Sequence, residues 1–253
     1  MNLFSQKYEK NVNFVPTKKK SIMAKRKKEL PENIISKSFS QWTIEDIKET
    51  FQLLMVHEGK GMEEIMHNNM ELTDRECDEL EYRRLLLIKK VGVWNEIELE
   101  IFFLVHILEL LKMAETGIET FIEKPYSAIV DTYLLSGEMD WVLANGYGKP
   151  KAPFFCIKEF KKAKSSSNDP EGQLAAGMLA AQALNQALYP ENTPPIYGAY
   201  IMGREWIFAK LQGRTFIQSP AFLLTDEAML QKMFRCLKQL KTIMVALHAS
   251  HIS

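Results

Sequence analysis

Asp140, Glu159 and Lys161 are the residues whose types and spacing best suit chemistry. Glu159 and Lys161 close a short apolar run at 154–160, Phe-Phe-Cys-Ile-Lys-Glu-Phe, which reads as a central strand covered on both faces. Period-two alternation puts Glu159 and Lys161 on one face of that strand. Lys158, Phe160 and Lys162 fall on the other, where a kink or the strand's end must carry the lysines to water. Asp140 belongs to another strand candidate, 138–144. The turn-rich segment ANGYGKPKAP (144–153) makes the two strands plausible hairpin partners, with Asp140 beside Glu159. Carboxylates that converge in this way suit a hard divalent cation with oxygen ligands. Such a cation polarises a phosphate and lowers the pKa of an attacking water. A nearby amine orients that water or offsets developing charge.

Positioning these groups is the work of the surrounding elements. A helical pattern runs over 42–56, capped by Thr43, and another over 72–91, capped by Thr73 with Glu76 three residues on. Residues 94–113 read as a helix apolar on nearly all sides after Glu100, hence buried. Strand candidates follow at 118–122, 127–135, 138–144 and 154–160. Asp169-Pro170-Glu171 then starts a helix at 172–189 that is rich in Ala and Gly and able to lie close against a sheet. Strands at 196–202, 206–211 and 215–219 precede an amphipathic closing helix at 226–248. Segregated helices with a mixed sheet argue an α/β or α+β fold.

Asp140 followed after a hairpin by Glu159-Phe160-Lys161 resembles the PD-(D/E)xK nuclease superfamily, and the stretch from 94 to about 245 also resembles an uncharacterised bacterial family of that fold. The resemblance implies an α/β, restriction-endonuclease-like α-β-β-β-α-β core. Here that core would carry an N-terminal helical extension and a C-terminal helix. It implies that Asp140 and Glu159 bind Mg2+ (or Mn2+) and that Lys161 positions the water. It further implies an acidic residue on the helix before the first strand. Glu96 is favoured and Glu100, on the same face, is the alternate. A Gln on the helix after the third strand is matched by Gln173, with Gln182 next. The motif's proline is missing, since Met139 precedes Asp140. The implied substrate is nucleic acid, DNA before RNA. The alternative is a catalytically silent module that keeps the fold for binding nucleic acid or protein.

Charge is unevenly spread. Residues 1–29 hold nine Lys or Arg against two Glu, a net +7, so the remainder carries −7 within a formal net charge of zero. Residues 1–40 therefore read as a basic, poorly ordered arm able to contact phosphates. Residues 41–92 read as a helical extension and 93–253 as the nuclease-like domain. The acidic body does not itself favour DNA. Three scattered cysteines, Cys77, Cys156 and Cys236, form no CxxC pair, which argues against structural zinc or a disulfide framework and suits a reducing, cytoplasmic setting. No apolar run has the roughly 20 residues a membrane span needs. A homodimer paired through the 226–248 helix is a further reading.

Overall fold

The structure is a computed structural model that describes residues 33–112, 118–158 and 169–252. Its elements in chain order are β1 (Ile35–Ser38), α1 (Ile44–Phe51), β2 (Leu54–Val56), α2 (Glu63–Met66), α3 (Asp74–Lys90), α4 (Glu96–Leu99), α5 (Val105–Leu110), β3 (Glu119–Val130), β4 (Tyr133–Asn145), β5 (Ala152–Lys158), α6 (Pro170–Leu188), β6 (Ile196–Met202), β7 (Glu205–Gln212), β8 (Thr215–Gln218), β9 (Phe222–Leu223) and α7 (Glu227–Ile252). Among the described residues the strands form one mixed sheet of nine. The fold class is α/β. The succession helix, three strands, helix, strand that the sequence suggested is present as α5, β3, β4, β5, α6 and β6.

Within the sheet, β3, β4 and β5 form an antiparallel meander, α6 crosses over, and β6 returns parallel to β5. β7 and β8 continue antiparallel from β6. The expected strand at 127–135 is divided by a hairpin, because Asp131 takes the left-handed conformation (φ 54°) and Val130 pairs with Tyr133. Short Asp side chains tolerate that region better than most. Pro125 sits within β3 without penalty because, among the described residues, β3 pairs only with β4 and is an edge strand.

The N-terminal stretch differs from its sequence reading. Residues 35–38, expected within the unordered arm, form β1 and pair parallel with Tyr133–Ser136. The expected helix over 42–56 stops at Phe51, where Gln52 turns left-handed (φ 53°), and Leu54–Val56 joins β8 as β2. Residues 41–92 are thus no helical appendage, since they add a strand to the sheet. The basic residues of 1–29 lie outside the described residues.

Two apolar cores cover the two faces of the sheet. On one face α1 and α6 pack Ile47, Phe51, Leu174 and Met178 against Val142, Cys156 and Tyr200. On the other, α3, α5 and α7 pack Leu87, Ile107, Phe234 and Leu237 against Trp141, Phe155, Ile157 and Phe208. The apolar face of α7, offered by the sequence as a pairing surface, is consumed in this core: Leu230, Met233, Phe234, Leu237, Leu240 and Met244 are all buried. No helix among the described residues is long and apolar enough to cross a membrane.

The small residues of α6 serve close approach. A Cβ on Gly172 would stand 2.5–2.6 Å from Thr43 C, Ile44 N and Trp42 O. The start of α1 therefore lies with its backbone directly on the start of α6. Gly172→Ala should lower stability by about 1–3 kcal/mol through overpacking. Urea unfolding would read this as a lower midpoint at unchanged slope. An unchanged midpoint would mean that α1 does not hold this contact in solution.

Candidate functional site

The site is built where the carboxyl ends of the parallel strands β5 and β6 meet the first turn of α6, the usual location for ligands in open α/β sheets. Trp141 pairs with Ile157 and Val142 with Cys156, so the register sets Asp140 opposite Lys158. Lys158 is in turn opposite Tyr200 on β6. Directly opposed residues share a face. Asp140, Lys158 and Tyr200 thus form a row across three strands on the α6 side of the sheet.

Lys158 Nζ donates to Asp140 Oδ1 at 2.5 Å, and both side chains are largely covered. The sequence reading had placed Lys158 on the far face and Glu159 beside Asp140. Instead the register gives Asp140 the lysine as its direct neighbour. The contact makes electrostatic sense, because two opposed carboxylates would repel while Lys158 neutralises one of them. Glu159 and Lys161 lie outside the described residues.

Gln173 sits one turn into α6, 6% exposed, with its backbone N–H bonded to Asp169 O. Gln182 is further along and donates to Gly213 O at 3.0 Å, away from the row. Glu96 is the exposed first residue of α4, where Asn95 caps the helix in a reciprocal box with Glu98. Its alternate, Glu100, opens a π-helical turn (Glu100–Leu104) and accepts the indole N–H of Trp141 at 2.6 Å. Glu100 therefore contacts the strand that carries Asp140. Among the described residues no three His, Cys, Asp or Glu side chains gather closely enough to hold a metal ion.

Sequence reasoning missed a second part of the site. Asp169 caps α6, accepting Gly172 N–H at 3.0 Å with one oxygen and Ile44 N–H, the start of α1, at 2.7 Å with the other. Two residues on, Glu171 is half-buried near Gln218 and Tyr200. Gln218 Nε2 donates to the Tyr200 hydroxyl at 2.8 Å, and both side chains are buried. Burial pushes the Glu171 carboxyl from the ordinary value near 4.5 up to about 7, and the negative Asp169 and Glu45 add to the rise. An acid in a first helical turn is commonplace, so the chain's only signal was Asp-Pro-Glu. Its burial comes from β6 and β8, which arrive later in sequence.

No family model matches the chain, and no curated protein matches it. One solved structure, described as the crystal structure of SSO0001, is 16% identical over 76% of this chain and 81% of its own, with a TM-score of 0.22. An overlap that loose carries no argument about fold or activity.

Folded Glu171 keeps its proton up to about pH 7, whereas the unfolded chain releases it near 4.5. Its contribution to stability is therefore complete below about pH 4.5 and is lost as pH rises through 7, by up to about 3 kcal/mol. Glu171→Gln lacks that loss. Denaturant unfolding should show the variant gaining on the wild type between pH 4 and pH 8. A difference that does not change with pH would contradict the raised carboxyl.

Proposed function

We propose that the protein is a metal-dependent phosphodiesterase of restriction-endonuclease-like architecture that acts on DNA in the cytoplasm. The observation that carries this reading is the register: Asp140 stands directly across from Lys158, the last described residue of β5, and Glu159-Phe160-Lys161 follows at once in the sequence. The antiparallel meander, the crossover helix and the parallel return strand agree with the core that the resemblance implies. In this reading Asp140 and Glu159 would hold Mg2+ or Mn2+. A cation held there would supply polarisation of the scissile phosphate and activation of water. Lys161 orients that water and Gln173 lines the site. Lys158 serves as countercharge to Asp140 and would have to release that carboxylate for it to hold a cation. The basic arm adds sequence-independent phosphate contacts.

A silent binding module of the same fold is favoured by one observation, the Asp140–Lys158 ion pair, which occupies a carboxylate that a metal would need. Labelled single- and double-stranded DNA incubated with and without Mg2+ or Mn2+ separates the two readings. The enzyme should cleave only with metal, and Lys161→Ala should slow cleavage by about 100-fold or more. Absence of cleavage on every DNA and RNA form would favour the silent module, and cleavage indifferent to Lys161→Ala would remove the assigned role of the lysine.

A further inference from the structure

We propose that the outer face of α3 is a homodimer interface, on which a second copy of this chain packs its own α3 antiparallel about a two-fold axis. Helix α3 has two unlike sides. Its inner side is engaged: Leu80 and Leu87 are buried in the core, Lys238 donates to Glu76 at 2.9 Å, and Arg84 donates to Thr225 O at 3.0 Å. Its outer side carries Asp78, Tyr82, Leu85 and Lys89, all exposed. Their spacing sets them in one stripe along the helix and is the seam pattern by which two helices interlock. Tyr82 is 57% exposed and Leu85 42%, with Ile88 flanking them at 42%.

The charges along the stripe identify its occupant. Other acids and bases of α3 are paired within the chain, Glu79 with Arg83, Glu81 with Arg84 and Glu76 with Lys238. Asp78 and Lys89, at the two ends of the stripe, have no ion-pair partner among the described residues. Asp74 lies one turn before Asp78, and Lys90 adjoins Lys89. The outer face is thus negative at its start, positive at its end and apolar between. Such a surface complements itself when turned end for end. With the axis midway between Tyr82 and Leu85, Tyr82 meets the partner's Leu85 and Asp78 meets the partner's Lys89, and each contact is made twice. A parallel pairing would set Asp78 against Asp78 and Lys89 against Lys89, which repel.

The aromatic member of the stripe is already held in place. The Arg83 guanidinium lies over the Tyr82 ring, 4.9 Å from its centre, and donates through Nη1 to Phe102 O at 3.2 Å. One cation therefore ties Tyr82 to the exposed Phe102 of the π-helical turn, and the ring loses little freedom on docking. A helix of 17 residues spans about 25 Å, so the interface is small. Its apolar middle supplies affinity, while the exposed charge pairs, weak in themselves, fix the orientation. The open edge of β3 is a poorer pairing surface, because Pro125 and left-handed Glu123 (φ 47°) blunt it. Helix α3 packs on the face of the sheet opposite α6, so pairing leaves the α6 side free, and the proposal is independent of the phosphodiesterase reading.

Sedimentation velocity of the full chain from about 1 to about 300 µM covers the affinities that a small interface supports. The wild type should pass from monomer to dimer with concentration. Leu85→Glu should weaken the dimer by about 10-fold or more. Asp78→Lys and Lys89→Glu should each weaken it by about 3- to 10-fold, since each sets like charges together twice. The double variant Asp78→Lys/Lys89→Glu exchanges the two ends and should restore the wild-type affinity, which a merely structural role for either residue would not do. This charge series reads the pairing even where Leu85→Glu disturbs the fold. A wild type that stays monomeric throughout would leave the stripe to an unlike partner and overturn the proposal. A dimer indifferent to Leu85→Glu, or a double variant no better than the single ones, would overturn it as well.

Discussion

One carboxylate ends two helices, and the candidate site depends on it. Asp169 accepts from Gly172 at the start of α6 and from Ile44 at the start of α1. A helix start leaves several N–H groups without partners. Here the two starts share one acceptor, and that arrangement requires the backbones to touch. Gly172 permits the contact, since any side chain there would meet the 42–44 backbone. The first turn of α6 is therefore fixed against the N-terminal region as well as against the sheet. Glu171 and Gln173 both belong to that turn, so the position of their backbone follows from the same bond.

The second constraint is charge within a largely covered row. Asp140 and Lys158 oppose each other across β4 and β5, and each makes the other tolerable there. Tyr200 and Gln218 continue the row with neutral polar groups that satisfy one another. Glu171 is the member whose charge is least well accommodated, with Asp169 and Glu45 as its charged neighbours, and it responds by keeping its proton. One end of the row is thus an ion pair and the other a carboxyl raised above its ordinary value by burial.

Much of this was legible in the chain, for identifiable reasons. Period-two apolar runs and a small-residue helix following Asp-Pro-Glu marked β4, β5, α6 and β6, because local pattern and tertiary role agree there. The 127–135 run failed as a single strand because its hairpin turns on Asp131, which lacks the flanking glycine that usually signals such a turn. β1 and β2 were hidden because three or four residues carry too little periodicity to declare a strand. Asp140 was recognised as a strand carboxylate, and the register adds Lys158 as its direct neighbour, which alternation had put on the other face. Glu171, Tyr200 and Gln218 could not be grouped from sequence, since their proximity arises from the order of strands in the sheet.

The account stands on Asp140 exchanging its lysine for a divalent cation. Titration calorimetry of Mn2+ into the wild type and into Asp140→Asn addresses that exchange without requiring a substrate. The account predicts saturable binding to the wild type, weakened by about 10-fold or more in the variant. Equal binding by both proteins, or no binding by the wild type, would contradict it.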